Sequence, residues 1–255
     1  MRTLFALPLL LVSLVSYSQK VPEMQPALGH LVEKSTAGEA EFIRKQRTCE
    51  ELWRKTSYQG GHEKLSVNEK KVLATCDEEF ESYWDILGVG CSWYCGGGQD
   101  TTTATSVLKP VNGTNYSASN AHDLSYKTAW IEGAEGYGIG EKLTYHFPAD
   151  NPRITKVIVV NGYVKSDQAW KDNTRVKKLM MYLNGKPFRV LNLQDTKKKQ
   201  SFSFSPLGND NTQAKSLSKK HTPWTLTFEI LEVYPGAEYK DTAITEIYFD
   251  GIDVH

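Results

Sequence analysis

SNAHDLSYKTAWIEGAEGYGIGEKLTY, running from Ser119 to Tyr145, is the stretch whose reading decides the fold. It opens on Asn120-Ala121-His122-Asp123. This is a turn signal, because Asn and Asp side chains bond their own backbone and tolerate left-handed geometry. Thr128-Ala129-Trp130 follows, a β-favouring run closed by a large aromatic that is assigned to the core. Gly133, Gly136, Gly138 and Gly140 then form a loop, after which Leu143, Tyr145 and Phe147 alternate as one face of a strand. The order is turn, buried tryptophan, glycine loop, strand. The glycines do not cradle a dinucleotide: their spacing is Gly-x-Gly-x-Gly and a strand follows, so no helix N-terminus awaits a pyrophosphate. Glu132, Glu135 and Glu141 beside the loop read as solvated acids, not as a glycosidase pair.

Working outward from there, the chain from Thr101 to its end is a series of short β runs separated by turn residues. Val157 and Val159 alternate with Ile158 and Val160, and Leu226, Phe228 and Ile230 with Thr225, Thr227 and Glu229. With Leu179–Leu183, Phe188–Leu193, Phe202–Phe204 and Ile244–Phe249, about eight or nine strands emerge, as a jelly-roll β-sandwich needs. The segment from Gly208 to Lys220, with Lys215, Lys219 and Lys220, reads as a solvated loop.

Upstream the pattern is helical. Thr36-Ala-Gly-Glu39 and Ser66-Val-Asn-Glu69 are capping boxes. The first predicts a helix over residues 36–57, the second a helix whose Leu73, Cys76, Phe80, Tyr83 or Trp84, and Leu87 step by threes and fours. Each helix carries one cysteine, Cys49 and Cys76, and Cys91 and Cys95 sit close together further on. Four cysteines allow three pairings, of which 49–76 and 91–95 fit a stapled helical hairpin followed by a small closed loop. Closing the longer loop contributes on the order of 3 kcal/mol. A zinc site is the competing reading, and the Cys-x₃-Cys spacing suits it poorly. Trp93 and Tyr94, inside the smaller loop, read as an aromatic plug in preference to a ligand platform.

At the N-terminus, Arg2, the apolar run Leu4–Val15 and Ser16-Tyr17-Ser18 have the form of a secretory signal peptide. The run is short for a membrane span, so the mature chain is expected to be exported, secreted or periplasmic, with no span. The expected organisation is a signal peptide at 1–18, a helical segment at 19–100 and the sandwich at 101–255. Thirty basic residues balance 30 acidic ones, which argues against a nucleic-acid partner, since phosphate binding needs a basic surplus.

The opening stretch, together with VIVVNGYVKS (Val157–Ser166), NTRVKKL (Asn173–Leu179) and FEILEVYPGAEYKDTAITEIYF (Phe228–Phe249), resembles the NADase-type glycan-binding branch of the discoidin-like (galactose-binding-like) β-sandwiches. The resemblance covers residues 101–255. It implies a non-catalytic carbohydrate-binding domain whose end loops carry the ligand. The same branch includes a non-catalytic domain of bacterial secreted NAD glycohydrolase toxins, which cleave NAD with another domain. The one cofactor it implies is a structural Ca²⁺ near the first turn, at positions matching Asp123, Thr128 and Glu246. Many relatives have Asp-Gly where this chain has Asp123-Leu124, and an ordinary turn residue is the other reading of Asp123.

No motif marks a catalytic centre. There is no Gly-x-Ser-x-Gly elbow, and the six histidines show no zinc-type pairing. A sugar site wants an aromatic face for the ring and planar polar groups for the hydroxyls. The stretch Asn161–Arg175, between two expected strands, offers Tyr163, Lys165, Trp170, Asn173 and Arg175. Trp170 is the stacking candidate and Arg175 the two-donor candidate. The other reading packs Trp170 on the sandwich end and pairs Arg175 with an acid such as Asp172. The expected partner is a glycan or glycoconjugate, and the alternative is docking to another protein, a secreted toxin or a cell-surface complex.

Overall fold

The computed structural model describes residues 20–58, 60–76, 80–210 and 222–254. The expected signal peptide and the lysines at 215, 219 and 220 lie outside the described residues. Chain order gives β1 (Glu23–Met24), β2 (Ala27–Leu31), α1 (Thr36–Thr56), α2 (Val67–Leu73), β3 (Thr101–Ala104), β4 (Trp130–Ile131), β5 (Lys142–Phe147) and β6 (Ile154–Asn161). It continues with α3 (Asp167–Asp172), β7 (Thr174–Leu183), β8 (Lys186–Asn192), β9 (Lys198–Leu207), β10 (Trp224–Tyr234) and β11 (Thr242–Gly251). The strands pair in the order β2-β9-β6-β11-β7-β10-β5-β3, with β4 on β11, β8 on β7 and β1 on β8.

Pairing is antiparallel except at β1–β8 and at a two-residue contact between β11 and β7, Thr242 with Thr174 and Ala243 with Arg175. At that contact the sheet folds over, so β9, β6 and β11 face β8, β7, β10 and β5. This is the expected discoidin-like jelly-roll sandwich. Between the layers lie Leu143, Tyr145 and Phe147 from β5, Leu226, Phe228 and Ile230 from β10, and Val157, Val159, Ile247 and Phe249 from β6 and β11. Phe147 stacks on Trp224 at 4.3 Å, and Tyr145 meets Phe249 edge-on at 5.2 Å. Trp130 is fully buried in the same cluster and donates its ring N–H to the Ser106 carbonyl (3.0 Å), which satisfies the one polar atom such a ring brings inside.

The N-terminal segment departs from the helical expectation in three ways. First, β1 and β2 join the sandwich: β2 pairs with β9, and β1 with β8. Second, α2 forms with its capping box, Ser66 and Glu69 bonding reciprocally at 3.2 and 2.8 Å, yet ends at Leu73 instead of running on toward Leu87. The chain beyond spends its backbone bonds on the sandwich: Ile86 N–H donates to the Leu124 carbonyl and Tyr126 N–H to that of Trp84. Trp84 and Ile86 are thereby buried against Tyr126, Ile158, Val160 and Tyr248, the outer face of β6 and β11. The alternation at residues 157–160 is thus dry on both sides.

Third, the cysteines divide. Cys49 and Cys76 form the expected disulfide, which also closes the zinc reading. Cys91 and Cys95, expected as a second bridge, are thiols with their sulfurs 3.6 Å apart. The Cys95 sulfur accepts instead from the Ser92 N–H (3.3 Å) at the start of the short turn Trp93–Cys95. The helix cap shifts by one residue as well: Ser35, not Thr36, caps α1, accepting from the Gly38 N–H.

Trp93 is the plug. It is 3% exposed and meets Phe249 edge-on at 6.3 Å. A Cβ at Gly97 or Gly251 would fall 2.5 or 2.7 Å from its ring, so both neighbours are glycines for want of room. Tyr94 beside it accepts a hydrogen bond from the Phe249 N–H (2.8 Å) and contacts His122. Among the described residues no helix is long and apolar enough to cross a membrane.

Candidate functional site

The loop between β6 and β7 lies at one end of the sandwich and contains the short helix α3, capped by Ser166, whose hydroxyl accepts from the Ala169 N–H (3.1 Å). Opposite it, the loop leaving β10 is tied down onto α3. Ala237 N–H donates to the Lys171 carbonyl, and those of Glu238 and Tyr239 to the Asp172 carbonyl, at 2.8–3.2 Å. The Thr174 hydroxyl bridges the same loop, donating to the Tyr239 carbonyl and accepting from the Gly236 N–H. At Gly236 a Cβ would lie 2.2 Å from the Asp172 carbonyl oxygen, so the close approach needs glycine.

Between these loops is a cleft of about 370 Å³. Its aromatic walls are Tyr116, Tyr163 and Tyr239, and its polar groups include Lys165, Gln168, Asp172, Asn173 and Asp241. Tyr116 and Tyr163 meet edge-on at 6.4 Å, and the Lys165 ammonium stands 4.4 Å from the Tyr163 ring centre. Burial pushes the Tyr163 hydroxyl up to about 12. Tyr239 is 47% exposed. Gln168 is held by Asp172 (2.7 Å), and the Asn173 amide donates to the Ala169 carbonyl (2.8 Å).

Of the five residues expected to hold a ligand, Tyr163, Lys165 and Asn173 line this cleft. Trp170 and Arg175 lie beneath it, against each other. The guanidinium sits 4.6 Å from the Trp170 ring, whose N–H donates to the Asn161 carbonyl (3.2 Å). Arg175 forms a two-donor fork with Asp195, both bonds 3.0 Å, and not with Asp172. Its remaining donor nitrogen reaches the carbonyls of Lys171, Asn173 and Pro235. Sequence reasoning had overlooked Tyr116 and Tyr239. The available signal was an aromatic set in a polar turn, Glu238-Tyr239-Lys240 after Pro235-Gly236.

Glu132, read as solvated, is fully buried. Its two oxygens accept the backbone N–H groups of Thr242 (3.0 Å) and Ala134 (2.8 Å), tying the glycine loop to β11. At Gly138, with φ +65°, a Cβ would lie 2.4 Å from this carboxylate. Gly138 is thus fitted around an acid that is used up structurally.

At the first turn the structure brings Asp123, Thr128 and Glu246 together. Thr128 donates its hydroxyl to Asp123 (2.6 Å), and Glu246 accepts from the Leu124 N–H (3.0 Å). The second Glu246 oxygen is buried with no hydrogen-bond partner. Burial, and then the Asp123 charge, raise the Glu246 carboxyl well above its usual range, and burial raises Asp123 too. Leu124 occupies the left-handed region, φ +57°. A leucine in this conformation carries a strain of about 1–3 kcal/mol. Among the described residues no three His, Cys, Asp or Glu side chains gather as a metal cluster. A pair of carboxylates, one of them with an orphaned buried oxygen, and a hydroxyl are nonetheless hard oxygen donors of the kind that suits Ca²⁺.

The sequence profile of the NAD glycohydrolase translocation F5/8 type C domain matches residues 93–250. The chain belongs to this family. The matched span starts at the Trp93 plug, upstream of the first core strand β3. Several solved structures are similar to this F5/8 type C chain. CpGH89CBM32-5 from Clostridium perfringens, in complex with GalNAc-β-1,3-galactose, is 19% identical over 59% of this chain and 94% of its own, with a TM-score of 0.38. The CBM32-1 and CBM32-2 domains of Clostridium perfringens ZmpB, in complex with GalNAc, are 12% identical over 82% of this chain and 49% of theirs, TM-score 0.43. A mutant of the lectin binding domain of lectinolysin, complexed with Lewis b, is 8% identical over 62% of this chain and 96% of its own, TM-score 0.35. No curated protein matches the chain.

Proposed function

We propose that this F5/8 type C protein is an exported, non-catalytic glycan-binding protein that takes its ligand in the cleft between α3 and the 235–241 loop. The observation that carries the reading is the cleft itself: tyrosine walls with an ammonium, amides and carboxylates at a rigid end of the sandwich. Such walls take the apolar face of a sugar ring while the polar groups read its hydroxyls. Export is supported by the N-terminal sequence and by the Cys49–Cys76 bridge, which belongs to an oxidising compartment. A structural role for Glu132, not an acid–base one, is supported by its two oxygens, both of which hold backbone N–H groups.

Tyr239→Ala tests the cleft with least risk to the fold, because the side chain is half exposed and the loop is held through its backbone. On a glycan array the wild type should retain a defined set of sugars. The variant should bind them about tenfold more weakly, the loss of about 1–2 kcal/mol expected of one aromatic contact. Lys165→Ala should weaken the same sugars. Retention of no glycan, or of the same glycans undiminished by both changes, would overturn the reading.

A Ca²⁺ held by Asp123, Thr128 and Glu246 belongs to the same proposal. When bound, the ion would offset the charge of two carboxylates at the turn and occupy the unpartnered Glu246 oxygen. Protein stripped with a chelator should gain melting temperature when millimolar Ca²⁺ is restored, because a ligand of the native state alone stabilises it by mass action. Asp123→Ala should abolish the gain. An unchanged melt in the wild type would leave Asp123 as an ordinary turn residue.

A further inference from the structure

A second cavity, of about 280 Å³, lies where the N-terminal segment closes over the outer face of the sandwich, on a different surface from the tyrosine cleft. Its walls come from elements far apart in sequence: Lys34 just after β2, Tyr83 and Asp85 in the 80–86 segment, Tyr126 after the first turn and Lys199 in β9. Two ammonium groups stand near one ring, Lys34 at 4.9 Å and Lys199 at 5.7 Å from the centre of Tyr126. Lys34 also stands 4.2 Å from the Tyr83 ring and donates to the Tyr83 carbonyl. Lys199 stands 5.6 Å from the ring of Tyr248. Unlike the ion-paired surface lysines at 55, 156 and 178, it forms no salt bridge to a described carboxylate.

That arrangement is costly as it stands. Two like charges share a cavity, and burial followed by the Lys34 charge lowers the Lys199 ammonium to about 8. Burial lowers Lys34 as well, partly offset by Asp85. Asp85 offsets Lys34 alone, and no described acid acts on Lys199. Asp85 accepts the Ser82 N–H (2.7 Å), Glu33 is exposed, and the imidazole of His30 is itself lowered by burial and by both lysines. What Lys199 lacks is an anion, since Asp85 acts on Lys34, and what the cavity offers beside the charges is the faces of tyrosine rings. Those rings suit a compact body with an apolar face, and the volume lies at the small end of ligand pockets.

We propose that this cavity binds an acidic sugar, its carboxylate between Lys34 and Lys199 and its ring against Tyr126. The site goes beyond the tyrosine cleft and does not depend on it. A chain with both sites would engage an acidic glycan at two surfaces, one bounded by loops and one by the seam between the N-terminal segment and the sandwich. The seam also makes the ligand a clamp, because Lys34 and Lys199 belong to the two parts it joins.

Glucuronate, glucose and sulfate are the probes, with melting temperature and calorimetric affinity as readouts on the full chain. Glucuronate should bind and raise the melting temperature, glucose should do neither, and sulfate should bind at least tenfold more weakly than glucuronate. Affinity should fall as pH rises through about 8, where Lys199 loses its charge. Lys199→Met keeps the apolar stem and removes the charge. It should lower glucuronate affinity at least tenfold while the unliganded melt stays level or rises, because a half-buried ammonium without an acid partner has been removed. Tyr239→Ala should leave the glucuronate response intact, so failure of the cleft reading and failure of this one are told apart. Equal responses to glucuronate and glucose, sulfate as good as glucuronate, or an unchanged affinity in a folded Lys199→Met protein would each overturn the proposal.

Discussion

A chain beginning at Thr101, the point where the composition turns to β runs, is expected to aggregate instead of melting cooperatively. The cut removes β2 from β9 and β1 from β8, exposing strand edges that the intact chain covers. Free edges of this kind invite pairing with other chains. It strips Val32, Trp84 and Ile86 from Ile158, Val160 and Tyr248, turning a buried cluster into an exposed apolar face. It also removes Trp93, buried at 3% exposure against Phe249. Losing a buried tryptophan alone costs about 3–5 kcal/mol, a large share of a total stability of about 5–15 kcal/mol. Size-exclusion chromatography and near-ultraviolet circular dichroism decide the matter. A monomeric fragment with a fixed aromatic signal and a sharp melt would show that the sandwich stands alone and that the N-terminal segment is only appended to it.

The change in composition at Thr101 is visible in the sequence, whereas the contacts that cross it are not. Period-2 alternation in β5 and β10 is visible because one face of each is dry and the other is not, and both strands formed where expected. Trp130 could be placed in the core because it closes a β run ahead of a glycine loop. The strands β1 and β2 leave no such trace: one is two residues long, the other is exposed along its length, and neither alternates. Their pairing depends on the edges of β8 and β9, which only the assembled sheet creates. The same holds for residues 80–87. Their spacing fits a helix, but Trp84 and Ile86 find more burial against Tyr126 and Tyr248 than a lone helix face would give them. Tertiary burial outweighs local propensity, which amounts to tenths of a kcal/mol per residue.

For the sites, chemistry was more legible than direction. Asp123, Thr128 and Glu246 were named through resemblance and do converge, though Glu246 is more than a hundred residues from the other two. The unpartnered Glu246 oxygen could not be foreseen, because partnership depends on packing. In the loop at 161–175 the short helix α3 separates the named residues, so that Lys165 and Asn173 line the cleft and Trp170 does not. Asp195, the acid that captures Arg175, is not adjacent in sequence and had no signature marking it as a partner.

Arg175→Ala is therefore expected to cost stability, with little effect on the ligand. Arg175 is 8% exposed and its donors hold three separate stretches of chain: Asp195 after β8, Pro235 after β10, and Lys171 and Asn173 in its own loop. Truncation leaves three carbonyls short of a donor and Asp195 without its counter-ion, and it removes the cation from the Trp170 ring. Breaking a buried pair by deleting one member costs about 3–5 kcal/mol. Asp195 is 37% exposed and recovers some water, so about 3 kcal/mol is expected, a fall of roughly 6–12 °C in melting temperature for a chain of this size. Arg175→Lys should recover only part of it, because a point charge cannot hold both carboxylate oxygens and three carbonyls at once. Trp170→Ala should destabilise as well, and the double variant should lose less than the sum, since the two side chains support each other across one contact. Compared at temperatures where both proteins are folded, glycan affinity should match the wild type within a few-fold. A tenfold loss of affinity with an unmoved melt would reverse the assignment: the guanidinium and indole beneath the loop would then be the ligand's own contacts, reached by a rearrangement of α3.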